Sequence, residues 1–143
     1  MKITNRFCIV VMLCLGVLLQ CSGAYAANFV EIFRSDRYLI FLDVSSLEDH
    51  GDYVTVWEKW IYRGRKLEEM KKKFGEKIAY DIALNAYKKN TKESQSLSCS
   101  TYDNNGIVLF NYNLTFSPYK FEPIFPESIG EFLWGRVMAL TNH

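Results

Sequence analysis

The sequence predicts an α+β fold, in which one long helix and a C-terminal helix pack on a small, mainly antiparallel β-sheet of five to six strands. Short segments rich in aromatic and β-branched residues predict the strands. Apolar residues three and four positions apart predict the helices. Hairpin-type connections join most neighbouring strands, and strands joined in this way pair antiparallel.

Five segments have the composition of strands: 28–34, 38–44, 53–62, 93–102 and 107–116. The turn 103–106 between the last two is a strong hairpin signal, because Asn and Gly tolerate positive φ angles. Alternation along 107–116 predicts that five apolar side chains share one face of the sheet. These are Val108, Phe110, Tyr112, Leu114 and Phe116.

Residues 63–90 are predicted to form an amphipathic helix, either whole or divided into two at Gly75. Its apolar stripe comprises Leu67, Met70, Phe74, Ile78, Ala79, Ile82, Ala83 and Ala86. The C-terminal helix is predicted to start near Pro126, since proline suits the first turn of a helix. Its stripe consists of Ile129, Leu133, Val137 and Leu140.

The first 26 residues have the organisation of a cleavable signal peptide. Lys2 and Arg6 supply the positive start, and residues 7–19 form an apolar segment shorter than the roughly 20 residues that span a bilayer. The small residues Ala24 and Ala26 then form a cleavage pattern, which places the mature start at Ala27. An uncleaved anchor, or lipoprotein processing at Cys21, is the alternative.

The mature chain, residues 27–143, is long enough for one domain and too short for two. Its later segments are too short or too polar to cross a membrane, so we expect an exported protein in the periplasm, at the cell surface or secreted. Cys99 is the one cysteine left after cleavage, so no internal disulfide can form. A buried, inert thiol is the favoured interpretation of Cys99, with an intermolecular disulfide or a reactive thiol as alternatives.

The sequence offers no motif for catalysis, a cofactor or a metal ion. The mature chain has two histidines, His50 and His143, and neither lies at a spacing typical of a zinc site. A Cys99–His50 pair could form only if the fold brought the two side chains together. We therefore predict a protein that is not an enzyme, with a small extracytoplasmic hydrolase as the minor alternative.

Positive charge is concentrated in one segment. Residues 63–92 hold ten basic and four acidic residues, and the densest group is Lys71, Lys72, Lys73 and Lys77. Such asymmetry can attract an acidic protein or a polyanion, so these four lysines are the predicted macromolecule-binding residues. An ordinary solvated helix face is the alternative. Nucleic acid is not an expected partner, because the chain is predicted to be exported and has no nucleic-acid-binding motif.

Several short motifs, taken in order, resemble those of the surface-adhesin protein E-like family of bacterial envelope proteins. The motifs are 38–43, Ser45-Ser46-Leu47, Val54-Thr55-Val56-Trp57, Tyr102-Asp103, Asn105-Gly106 and 126–131. The resemblance covers most of the mature chain. It implies a small antiparallel sheet with a packed helix, a location outside the cytoplasm and, in the best-known member, adhesion to host matrix and plasma proteins.

The chain departs from this family at two places. Relatives often carry a second cysteine near the end of the last helix, paired with the cysteine on the strand. Val137 and Met138 stand at that place here, so we expect the family disulfide to be absent. The basic segment does not align with the family, so no ligand-contacting residue carries over.

The sequence thus favours an exported, non-enzymatic binding module of the cell envelope or exterior. The alternative is a structural or assembly component that acts by association with itself, as in a homodimer, or with another envelope protein.

We expect the exported protein to begin at Ala27, because small residues at positions 24 and 26 follow an apolar segment of suitable length. N-terminal sequencing of the protein recovered outside the cytoplasm checks this. A lipid-modified N-terminus at Cys21 would contradict it and would tether the domain to a membrane.

Overall fold

The computed structural model describes residues 27–113 and 120–142. The predicted signal peptide, Leu114, Phe116 and His143 lie outside this part of the chain. The elements in chain order are β1 (Phe29–Arg34), β2 (Tyr38–Asp43), a 3₁₀ turn (Val44–Ser46), β3 (Glu48–Asp49), β4 (Tyr53–Tyr62), α1 (Gly64–Phe74), β5 (Ile78–Lys88), β6 (Glu93–Asp103), β7 (Val108–Asn113), β8 (Glu122–Pro123) and α2 (Ile129–Thr141).

The strands described form one antiparallel sheet, in the order β1-β2-β4-β5-β6-β7. The two-residue strands β3 and β8 pair with β4 and β6. The α+β class is therefore confirmed, with eight strands in place of the five to six predicted.

The segment that follows α1 corrects the sequence prediction. Residues 78–88 form β5, the partner of both β4 and β6, and not the second half of a helix. The helix ends at Gly75, whose φ of +111° departs from helical geometry and whose N–H donates to the carbonyl of Lys71. Ala79, Ala83 and Ala86 imitate a helical stripe in the sequence. In the strand, Ala83 and Ala86 point to opposite faces, because side chains alternate.

A bulge at the start of β7 corrects a second prediction. The register shifts so that Val108 lies opposite Tyr102 and Phe110 lies opposite Thr101. Because neighbouring residues of β6 point to opposite faces, Val108 does not share a face with Phe110. Phe110 and Tyr112 do share one, because Tyr112 lies opposite Cys99.

Helix α2 packs on one end of the sheet and closes the main core. Its N-cap is Ser128, whose side chain accepts a hydrogen bond from the N–H of Glu131. Leu133 and Val137 are fully buried, as predicted, while Leu140 keeps 41% of its surface exposed. The core cluster consists of Ile40, Leu42, Val54, Val56, Tyr87, Leu133 and Val137.

Helix α1 lies at the other end of the same face, where it contacts β4 and β5. Between the two helices, side chains of the sheet and of α1 line an open groove. Neither helix within 27–113 and 120–142 is long and apolar enough to cross a membrane.

Candidate functional site

A groove of about 440 Å³ lies between α1 and the sheet. Helix α1 lines it with Lys66, Met70, Lys73 and Phe74. The last three lie four, seven and eight positions after Lys66, so all four side chains share one face of the helix. Strands β2, β4, β5, β6 and β7 supply the remaining wall and the floor. The groove therefore has a basic and apolar helix on one side and a sheet on the other.

Gly64 allows α1 to start close to the sheet. Its φ is +46°, and a Cβ at this position would lie 2.8 Å from the carbonyl oxygen of Asp36. The N–H of Arg63 donates to the carbonyl of Arg37 and ties the same corner. A side chain at position 64 would push α1 away from the β1–β2 turn.

Asp81 organises one part of the groove floor. The hydroxyl of Tyr62 donates to its Oδ2 through a short hydrogen bond, and the hydroxyl of Thr101 donates to its Oδ1 over 2.7 Å. Burial and the neighbouring Asp81 carboxylate raise the pKa of the Cys99 thiol to about 12. Cys99 therefore stays protonated near neutral pH, where a thiol is a weak nucleophile, which supports the inert-thiol interpretation.

Glu58 organises a second part of the floor, and it lies opposite Ala83 on the same face of the sheet. Its carboxyl group is fully buried and accepts hydrogen bonds from the Tyr87 hydroxyl, from Trp60 Nε1 at 2.8 Å and from Asn85. Burial raises the pKa of Glu58, and the three hydrogen bonds offset part of that rise. Trp60 and Asn85 line the groove, so Glu58 holds two groove side chains in fixed orientations.

Aromatic side chains make up much of the groove wall. Tyr38 meets Trp60 edge-on, with ring centroids 5.6 Å apart. At one end of the groove, the ring of Phe74 also lies 6.0 Å from that of Phe110, which lines the neighbouring cleft. The Tyr112 hydroxyl is held at 2.9 Å from Ser96 Oγ. The groove wall is therefore largely aromatic, with the Tyr112 hydroxyl as a polar group on it.

The four predicted lysines occupy different environments. Lys71, Lys72 and Lys73 lie in the last turn of α1, whereas Lys77 lies in the turn before β5 and not on a helix. Lys73 lines the groove, and Lys71 Nζ lies 3.4 Å from Glu68. Lys77 lines a neighbouring cleft of about 200 Å³, together with Phe74 and Phe110.

Lys66 is a groove residue that the sequence prediction missed. It lies seven positions before Lys73, on the same face of α1, and its Nζ is 3.9 Å from Glu69. Helical spacing from Lys73 was the signal that could have found it. The lysines of the last turn also stabilise α1 itself, by about 0.3–1 kcal/mol each, because positive charge is favourable at a helix C-terminus.

His50 lies away from Cys99 in the fold. Its Nε2 is 3.0 Å from the Thr55 hydroxyl, and its ring stacks on Tyr53 with centroids 4.7 Å apart. Cys99 instead faces Asp81, so the fold does not pair the two. Among residues 27–113 and 120–142, no three His, Cys, Asp or Glu side chains gather as a metal site would require.

Comparisons of the chain with protein-family models, with curated proteins and with solved structures return no match. The resemblance to the surface-adhesin protein E-like family stays a prediction that rests on the motifs given above.

We expect Glu58 to make the free energy of unfolding depend on pH. Its pKa in the folded protein is above the ordinary value of 4.5, so the folded state keeps a proton that the unfolded chain releases. The contribution of Glu58 is therefore fully present below about pH 4.5 and is lost as the pH rises through the raised pKa. Within that window the loss is about 1.4 kcal/mol per pH unit.

Urea unfolding of the wild type and of Glu58→Gln between pH 4 and pH 8 checks this. The variant is the control, because it keeps every other titratable group. The free energy of unfolding of the wild type should fall relative to that of the variant as the pH rises. A difference that stays constant over the range would show that the pKa of Glu58 is not raised.

Proposed function

We propose that this chain is an exported, non-enzymatic binding domain of the cell envelope or exterior, similar to surface-adhesin protein E-like proteins, and that it binds an acidic macromolecule. The observation that carries the proposal is the placement of Lys66 and Lys73 along an aromatic groove with a preformed polar floor. The proposed location rests on the signal-peptide pattern of residues 1–26.

The charge of α1 supports an acidic partner. The helix carries five basic residues and two acidic residues, Glu68 and Glu69. Within the described chain, no carboxylate lies within 4.0 Å of the amino groups of Lys72, Lys73 or Lys77. A cluster of this kind attracts anions and speeds their association.

The state of the polar groups favours binding over hydrolysis. Asp81 already accepts from Tyr62 and Thr101, and Cys99 is held as a thiol. Glu58 is fully buried and accepts hydrogen bonds from Trp60 and Asn85. The groups that could move protons are thus engaged in fixing the shape of the groove, and a fixed shape lowers the entropy that binding costs.

We expect the Lys66→Gln, Lys73→Gln double variant to bind immobilised heparin or poly-L-glutamate about five- to tenfold more weakly than the wild type, because each lost ion pair is worth up to about 1 kcal/mol. Binding by the wild type should weaken as salt rises, since exposed charges are screened over about 8 Å at physiological ionic strength. Elution from the two matrices along a salt gradient measures both effects.

The matched control is Lys72→Gln, Lys77→Gln, which removes the same charge from the same segment but leaves the groove lining unchanged. It should weaken binding less than the groove variant does. Equal losses in the two variants would assign binding to charge alone and remove the groove from the proposal. Binding that does not change with salt concentration and is the same in the wild type and in both double variants would contradict the proposed function.

A further inference from the structure

The lining of the groove contains three kinds of chemical group. Helix α1 contributes the ammonium groups of Lys66 and Lys73, and the sheet contributes one carboxyl group, that of Asp81. Aromatic rings and uncharged polar groups make up most of the remainder. A ligand that suits the whole lining therefore needs negative charge toward the helix, hydrogen-bond donors toward Asp81 and a surface that packs on aromatic rings.

The positive charge of the two groove lysines is only partly neutralised by the fold. One carboxylate, Glu69, lies within 4.0 Å of three cations, which are Arg37, Arg65 and Lys66. Lys73 Nζ lies over an uncharged group, the ring of Phe74, 4.9 Å from its centroid. The two lysines therefore leave positive charge for a ligand to meet.

Two further acids near α1 lie outside the groove. Glu68 lies beside Lys71, with 3.4 Å between the charged atoms, and Glu76 lines the neighbouring cleft. Neither is among the described residues that line the groove. The acid that a groove ligand meets directly is Asp81, on the sheet side.

The carboxyl group of Asp81 favours a ligand that carries hydroxyl groups. A carboxylate has about four acceptor sites. Three donors of the fold already approach it: the hydroxyls of Tyr62 and Thr101 and the thiol of Cys99. Capacity is left for one more donor, which a sugar hydroxyl can supply. A ligand whose polar groups are all carboxylates would instead meet Asp81 with like charge, which is unfavourable.

Other polar groups of the lining also suit hydroxyls. Ser96 Oγ and the Tyr112 hydroxyl lie 2.9 Å apart, and each hydroxyl can donate one hydrogen bond and accept two. The side chain of Asn85 donates one N–H to Glu58 and has a second N–H and a carbonyl oxygen as well. The sheet side of the groove thus offers both donors and acceptors, which is what the hydroxyl groups of a sugar require.

The aromatic rings of the groove are held in place before a ligand binds. Trp60 Nε1 donates to Glu58 over 2.8 Å, and Tyr38 meets the Trp60 ring edge-on. Tyr112 is 48% exposed, and its hydroxyl is fixed by Ser96. The C–H groups on one face of a sugar ring pack well on an aromatic ring. Rings that are already fixed lose little entropy when they do so.

The spacing of the two lysines favours a sugar chain over an extended peptide. Lys66 and Lys73 are seven positions apart, which is about 10 Å along the helix axis. An extended polysaccharide with an acidic sugar at every second position has a repeat of similar length. In an extended peptide, side chains on one side recur about every 7 Å. The polysaccharide therefore matches both lysines with successive acidic groups.

We propose that the groove binds a segment of an acidic polysaccharide in which every second sugar carries a carboxylate. The carboxylates approach Lys66 and Lys73, a hydroxyl donates to Asp81, and a sugar ring packs on Tyr112. This inference rests on the proposed function, because it names the class of acidic macromolecule that the same groove binds.

The test compares two polymers that differ only in charge. Hyaluronan oligosaccharides have a glucuronate at every second position, and carboxyl-reduced hyaluronan has a neutral sugar there. We expect the mature wild-type protein to bind the reduced polymer about five- to tenfold more weakly, as measured by calorimetric titration. The Lys66→Gln, Lys73→Gln variant should bind both polymers equally, because it lacks the groups that distinguish them.

A second comparison tests the sugar ring. Tyr112→Leu keeps every charge and should weaken hyaluronan binding about fivefold, and polyglutamate binding by a smaller factor. Phe125→Leu is the matched control, because Phe125 is 79% exposed and does not line the groove, and it should change neither. Thermal unfolding shows whether both variants fold. The comparison of the two polymers by the wild type does not depend on either variant.

Equal binding of hyaluronan and its reduced form by the wild type would overturn the inference. Binding to polyglutamate or heparin that depends on the lysines, without binding to hyaluronan, would also overturn it and would leave the proposed function standing. Failure of polyglutamate and heparin as well would overturn the proposed function itself. An equal loss of hyaluronan and polyglutamate binding in Tyr112→Leu would remove the sugar ring from the groove and contradict the inference.

Discussion

The pairing of β4 with β5 is the constraint on which the rest of the structure depends. It runs through nine Cα pairs, from Tyr53 opposite Lys88 to Ile61 opposite Tyr80, at the centre of the sheet. The chain between these two antiparallel strands contains α1. This helix contacts both strands and lies over one face of the hairpin that it connects. The groove is the space between the helix and that face.

The same pairing assembles the polar floor. It sets Trp60 beside Asp81 and Glu58 beside Ala83, on the face that α1 borders. Two acids on a half-covered sheet would be unfavourable without partners, since a buried unpaired charge costs several kcal/mol. Each has its donors: Tyr62 and Thr101 for Asp81, and Tyr87, Trp60 and Asn85 for Glu58. These networks hold the polar side chains at the centre of the sheet in fixed hydrogen bonds, beside the lysines of α1 that line the groove.

The sequence predicted the elements that have one apolar face and one more polar face. Strands β1, β2, β4 and β6, and the stripe of α2, follow from alternation or from helical spacing. Strand β5 was missed because it is partly buried on both faces, so its alternation is weak and its alanines imitate a helix. Strands β3 and β8, with two residues each, are too short for a periodic signal. Lys73 was found from charge alone, and helical spacing from Lys73 could have found Lys66. Glu58 needed the fold, because the Tyr87 hydroxyl that donates to its buried carboxyl group is 29 positions away.

The most direct test of this account is an NMR determination of contacts in the segment 78–88. If β5 pairs with β4 as described, Hα–Hα contacts should join every second pair of the register between Tyr53 and Ile61 on one strand and Lys88 and Tyr80 on the other. Carbon chemical shifts throughout 78–88 should be those of a strand. Contacts between residues three positions apart within this segment, with helical shifts, would contradict the pairing and, with it, the groove and the proposed binding surface.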